Sequence, residues 1–233
     1  RRSSDLTGFA TSVIGCKCEA GIETEIPSED SPDLRPGVSV LFFAMDSENL
    51  GKRLMERIGQ CIMTCPSTAC YNGIDEGNEI VVGGQLRYFG DGYQISKKIG
   101  DKRLWRIPVM DGEFLVDDIF KTKEAVGGGN ILILAKDQNT ALKAAKSAVN
   151  TMREVPNVIL PFPNGVVRSG SKVGSKYKAL IASTNDAYCP TLSSVVEKTE
   201  VDTNINSVLE IVIDGLTLKD VEEAMRVGIK AAI

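Results

Sequence analysis

One carboxylate is placed where chemistry is plausible. Glu210 interrupts Ser207-Val208-Leu209-Glu210-Ile211-Val212-Ile213, an otherwise almost wholly apolar run. A carboxylate set among apolar neighbours is desolvated, which raises its pKa toward neutrality and suits it to proton transfer. The pattern also fits a strand that alternates, with Glu210 on its wetter face as an ordinary polar residue. From the pattern alone the second reading is the commoner outcome, since carboxylates are seldom fully buried.

Two further stretches carry groups that could hold a ligand. Arg168-Ser169-Gly170-Ser171-Lys172-Val173-Gly174-Ser175-Lys176 interleaves cations and hydroxyls with small residues. Small residues let backbone amides approach an anion, Lys172 and Lys176 supply charge, and Ser171 and Ser175 supply donors. A solvated hairpin loop has the same composition. The second stretch, Ala182-Ser183-Thr184-Asn185-Asp186-Ala187-Tyr188-Cys189-Pro190, is dense in hydrogen-bonding side chains. Asn185, Asp186 and Tyr188 could line a pocket for a polar heterocycle, or form a capped turn. Phe89-Gly90-Asp91-Gly92-Tyr93 offers Asp91 and Tyr93 in the same way, with a β-turn as the simpler alternative.

Several chemistries are excluded. The chain has no His, so nucleophiles activated by His are ruled out, and acid–base work falls to carboxylates, Lys, Tyr or Cys. Gly127-Gly128-Gly129 precedes its strand, whereas a dinucleotide fingerprint follows one. There is no Walker A motif for a nucleotide or phosphosugar binder. Cys61, Cys65 and Cys70 are spaced by three and four residues with no second CxxC pair, which favours small buried hydrophobes over a metal site.

Three segments repeat an apolar run, a polar turn and an amphipathic helix. The first runs from Val38 to Ala44, with Ser47 as N-cap and Leu50, Leu54, Ile58 and Cys61 at helical spacing. The second is Ile131 to Ala135, then Asp137, Asn139 and a helix with Leu142, Ala145, Val149 and Met152 on one face, ended by Pro156. The third is Val208 to Ile213, a turn at Asp214-Gly215, a Thr217 cap and a stripe of Val221, Ala224, Met225 and Gly228. Gly228 in that stripe predicts close helix packing. Gly90-Asp91-Gly92 and Asp111-Gly112 predict hairpins, and Val158–Leu160, Val166-Val167 and 178–182 read as short strands. Strand–helix units mixed with hairpins give an α+β class in two lobes, sheets with helices on one face, divided near 120–130 at the triple glycine.

The chain has 233 residues, 42% hydrophobic and 25% charged, the balance of a globular protein with one or two domains. A net charge of −4 argues against wrapping nucleic acid, and no apolar stretch reaches the ~18 residues of a membrane span. The six cysteines are read as free thiols. Both ends read as cuts: the chain opens Arg1-Arg2-Ser3 without Met and stops at Ala231-Ala232-Ile233 inside a helical pattern.

The sequence resembles the formylmethanofuran–tetrahydromethanopterin formyltransferase family along essentially its whole length. The resemblance is carried by Thr7-Gly8-Phe9-Ala10-Thr11-Ser12-Val13-Ile14, Arg35-Pro36-Gly37-Val38 and Arg57-Ile58-Gly59-Gln60-Cys61. It continues through Tyr88–Gln94, Ile107–Phe114, Ser169–Lys176, Ala182–Pro190 and Glu210–Leu216. It implies two ferredoxin-like lobes, an N-terminal (proximal) lobe over 1–123 and a C-terminal (distal) lobe over 124–233. It implies formyl transfer between methanofuran and tetrahydromethanopterin as carrier substrates, with no permanently bound cofactor and no metal. The setting implied is a cytoplasmic homotetramer in methanogenesis or methylotrophy. The alternative is a non-catalytic scaffold subunit of a formyltransferase–hydrolase complex. The family's proposed catalytic glutamate falls on Glu210, and Lys172 and Lys176 become candidates for holding the anionic arms of the carriers.

Overall fold

The computed structural model describes residues 6–233; the opening Arg1-Arg2-Ser3 lies outside the described residues. The chain divides into two compact units, one ending at Ala125 and the other beginning at Val126.

In the first unit, β1 (Thr11–Ser12), β2 (Cys18–Ile26) and β3 (Gly37–Phe43) form an antiparallel sheet. The helix after it, α1 (Ser47–Arg57), is capped by Asp46 rather than by Ser47. Asp46 has the extended backbone of a cap, and its carboxylate accepts from the Asn49 amide at 2.7 Å. Leu54 and Ile58 on α1 and its π-turn extension are buried against Ile107, Phe114 and Val116. Those residues lie on β7 (Lys102–Val109) and β8 (Gly112–Asp117), part of a sheet ordered β4-β8-β7-β6 with β4 (Ala69–Cys70) and β6 (Ile95–Ile99). A further pair, β5 (Asn78–Val81) and β9 (Ile119–Thr122), completes the unit.

The β7–β8 hairpin forms as expected, though Val109 pairs with Gly112, so Met110 and Asp111 make the loop. The hairpin expected at Gly90-Asp91-Gly92 does not form. Residues Gly83–Leu86 and Arg87–Gly90 are helical turns. Arg87 stacks on Tyr88 and Trp105, 4.4 and 4.8 Å from the ring centres, and donates to the Gly84 carbonyl. The Val82 and Gly84 amides donate to the Asp118 carbonyl, so the chain is held curled where an extended strand was expected.

In the second unit, β10 (Val126–Ala135) and β11 (Val158–Ile159) flank β14 (Ser207–Gly215), both antiparallel to it. Helices α2 (Gln138–Met152) and α3 (Leu218–Ala232) follow β10 and β14. The order β10-β14-β11 with helices after β10 and β14 is a split β-α-β arrangement of ferredoxin-like type. Ile133, Ile211 and Ile213 point to the helices and meet Ala145, Val149, Met152, Val221 and Ala224. Asp137 caps α2 by accepting from the Thr140 amide at 2.8 Å, and Thr217, the cap expected for α3, accepts from the Asp220 amide at 3.2 Å. On α2 it is Ala141, not Leu142, that turns inward; Leu142 is 41% exposed. A Cβ on Gly228 would lie 1.9 Å from Met152 Cε and 2.9 Å from its Cγ, so the missing side chain lets α3 lie close on α2.

Three other expectations change. Gly127-Gly128-Gly129 does not precede its strand but is part of β10, which bulges between Val126 and Gly129. Asp214-Gly215 is not a turn but the end of β14, and the wholly buried Asp214 carboxylate accepts from the Gly128 amide at 2.9 Å. Val167 makes only a bridge to Glu210, and residues 178–181 are not a strand; the strand there is β13 (Ala182–Thr184), paired with β12 (Ser171–Val173).

Candidate active site

Glu210 lies at the middle of β14. Its backbone amide donates to the Val167 carbonyl at 2.8 Å, and its carbonyl accepts from the Val167 amide at 2.7 Å. Both backbone groups therefore point away from β10, which makes Glu210 and Leu132 a close, non-hydrogen-bonded pair. Along β14 the even positions face away from the helices. Ile211 and Ile213 are core, while Val208, Glu210 and Val212 are half-buried on the other face. The alternating reading of this strand is thus right about its face, and Glu210 is neither deep in the core nor free in solvent.

Two neighbours define the carboxylate. The Asn130 side-chain amide on β10 donates to Glu210 Oε1 at 3.0 Å. Gly170 closes on the other oxygen, since a Cβ built there would lie 3.0 Å from Oε2 and 4.0 Å from Asn185 Cβ. Any larger residue at 170 would press on Oε2. The Asn185 amide donates to the Gly170 carbonyl at 2.9 Å, which ties the loop after β13 to the entry of β12. Asn130 was not legible as a site residue. Its signal is a polar side chain at the start of an apolar strand, and that acquires meaning only once Leu132 is known to pair with Glu210.

The β12–β13 hairpin carries the lysine-rich loop. Lys172 pairs with Asp186 at 2.5 Å, and the ammonium holds the Asp186 carboxyl below the usual carboxylate range. Ser171 and Lys176 are exposed on the same hairpin, and the Ser175 hydroxyl accepts from the Tyr177 amide at 3.0 Å. Tyr188 is half-buried at the end of the 3-10 turn Asp186–Tyr188, and its amide closes that turn by donating to the Asn185 carbonyl at 3.0 Å. Glu210, Asn185, Asp186, Tyr188, Ser171, Lys172, Ser175 and Lys176 therefore all belong to the second unit. Asp91 and Tyr93 belong to the first unit, in the tight turn after Arg87–Gly90, with Tyr93 79% exposed. Among the described residues no group of three or more Cys, Asp or Glu side chains is arranged to hold a metal ion. Cys70 packs against the first unit's core, and burial pushes its thiol up to about 12.

Two family models cover the chain. One, described as formylmethanofuran-tetrahydromethanopterin formyltransferase, matches residues 1–109, and one described as the proximal lobe of that protein matches residues 112–233. The chain belongs to the formylmethanofuran–tetrahydromethanopterin formyltransferase family. The word proximal thus attaches to the second match, whereas the sequence reading gave it to the first lobe.

The family's members of this name include one from Methylococcus capsulatus, 61% identical over 97% of this chain and 76% of its own length. One from Methanothermobacter thermautotrophicus is 46% identical over 99% of this chain and 78% of its own. A component of the formyltransferase/hydrolase complex from Methylorubrum extorquens is 49% identical over 97% and 75%. Two solved structures superpose closely. The Methylorubrum extorquens complex, determined with methylofuran, gives a TM-score of 0.94 at 48% identity over 99% of this chain and 77% of that one. The formyltransferase of Methanosarcina barkeri gives 0.91 at 43% over 99% and 78%. The chain spans about three quarters of the length of these family members.

Proposed function

We propose that this protein moves a formyl group between formylmethanofuran and tetrahydromethanopterin, with Glu210 as its acid–base residue. Family membership, with a relative 61% identical, supports the reaction, and the observation that carries the residue is a carboxylate held at mid-strand between Asn130 and Gly170.

The chemistry needs no electron carrier, because a formyl group passes between two nitrogens without oxidation or reduction. The acceptor nitrogen attacks the formyl carbon, a C–N bond forms, and the carbonyl electron pair moves to oxygen. The acceptor nitrogen then loses a proton to Glu210. Glu210 returns that proton to the donor nitrogen, the C–N bond to the donor breaks, and the carbonyl re-forms. One carboxylate serves both transfers because the proton lost by one nitrogen is the proton gained by the other. Lys172, Lys176, Ser171 and Ser175 would bind anionic arms of the carriers, and Asn185, Asp186, Tyr188, Asp91 and Tyr93 would line the space for their rings.

The two lobes are assigned to 1–123 and 124–233. Assembly into a homotetramer, and membership of a larger formyltransferase–hydrolase complex, are part of the same reading; the complex is supported by the relative that is itself part of one. No described helix is long and apolar enough to cross a membrane, and the reading places the protein in the cytoplasm.

The deciding experiment is formyl transfer from formylmethanofuran to tetrahydromethanopterin, followed by absorbance, for the parent and Glu210→Gln. We expect transfer by the parent and a loss of about 100-fold or more in kcat for the variant, the scale of a general acid–base group. A folded parent without transfer turns the protein into a scaffold subunit instead.

A further inference from the structure

We propose that Asn130 is a positioning residue that orients the Glu210 carboxylate, so that Oε2 rather than Oε1 exchanges protons with substrate. This rests on the assignment of Glu210 as the acid–base residue.

The two oxygens of Glu210 have different surroundings. Oε1 accepts from the Asn130 side-chain amide at 3.0 Å, and an amide N–H can only donate to it. Oε2 lies beside Gly170, where a Cβ would stand 3.0 Å away. A glycine at that position keeps the approach to Oε2 clear of side chain, while Oε1 is already occupied. Asn130 is set by register: it pairs with Val212, while Leu132 pairs with Glu210. It is thus the diagonal neighbour of Glu210 on one face of the β10–β14 pair, within reach of a long side chain. It is exposed and lies in no core cluster, so its hydrogen bond is not a by-product of packing. A terminal carboxylate torsion has a broad minimum. Without a donor on one oxygen, the two oxygens of Glu210 would exchange roles freely and each would spend less time aimed at the reacting nitrogen.

The test uses Asn130→Asp, Asn130→Gln, Glu210→Gln and the double variant Asn130→Asp/Glu210→Gln, with kcat and KM for formyl transfer and a melting temperature for each. Asn130→Asp has the same shape but sets an acceptor against Oε1; Asn130→Gln keeps the amide donor on a longer arm. The expected result is a kcat lowered roughly tenfold in Asn130→Asp, the scale of one hydrogen bond to a charged group. KM and melting temperature stay close to the parent's, and Asn130→Gln regains most of the turnover. In the Glu210→Gln background Asn130→Asp has no further effect, since its target is gone. If Glu210→Gln is inactive but Asn130→Asp turns over like the parent, the positioning role is overturned and Glu210 keeps its own. The role is equally overturned if Asn130→Asp costs the same factor in both backgrounds, because Asn130 then acts independently of Glu210. If Glu210→Gln retains parental kcat, the assignment of Glu210 itself fails and this inference fails with it.

Discussion

At the scale of single residues, function and stability separate cleanly in this chain. Glu210 is held by one side-chain amide and beside one glycine, so its environment is decided by two neighbours rather than by bulk burial. The Lys172–Asp186 pair is of another kind. Both side chains are well exposed, at 45% and 37%, so the pair contributes little to stability. Because the Asp186 carboxyl is held below its ordinary range, that small contribution is present above the ordinary carboxylate pKa and is lost as pH falls through the lowered one. The role proposed for Lys172 is in binding. Replacing it by Ala should raise KM for a carrier with an anionic arm about fivefold, the scale of one exposed charge pair, and leave kcat near the parent's. Steady-state kinetics with both carriers varied would show this; a fall in kcat at constant KM would assign Lys172 to the chemistry instead. Cys70 offers a check in the first unit. With its thiol pushed up to about 12 by burial, it should resist alkylation by iodoacetamide at pH 8 in the folded protein and react in denaturant, as read by peptide mass spectrometry.

At the scale of elements, the second unit depends on how closely α2 and α3 approach. Gly228 admits Met152 where any side chain would collide. Gly228→Val should lower stability by about 1–3 kcal/mol through overpacking, seen as a lower melting temperature. Shortening the partner in Gly228→Val/Met152→Ala should return part of the loss if the clash is the cause. The caps matter less. Thr217→Ala removes the acceptor for the Asp220 amide and should cost about 1 kcal/mol. The element most unlike its sequence signal is Gly83–Gly90. Gly90-Asp91-Gly92 at its end looks like a hairpin turn, but the segment is curled into helical turns, held by the Asp118 carbonyl and with Arg87 stacked on Trp105 of β7. Local turn chemistry yielded there to a contact with a residue well outside the segment.

At the scale of the whole molecule, each unit has its own core. One gathers Leu54, Ile58, Ile107 and Phe114, and the other Val149, Met152, Ile211 and Ile213. The segment between them, Lys123-Glu124-Ala125, is exposed and outside any strand. Limited trypsin digestion should therefore cut first after Lys123, giving fragments 1–123 and 124–233 by mass. Early cleavage elsewhere, with that bond intact, would argue against the lobe boundary proposed.

Much of the second unit could be read from the chain in order. The periodicity of residues 131–152 and 208–228, the cap at Thr217 and the small residue at Gly228 are local signals, and local hydrogen bonds and helix periods enforce them. Long motifs shared with a family were equally legible, because they are strings of neighbouring residues. What the tertiary structure alone decided are meetings between distant residues. Asn130 reaches Glu210 across 80 positions through strand register, and Asp214 turns from a supposed turn into a buried partner of Gly128. Register is fixed by which faces of β10 and β14 the helices cover. That is a property of the assembled sheet, and no single segment encodes it.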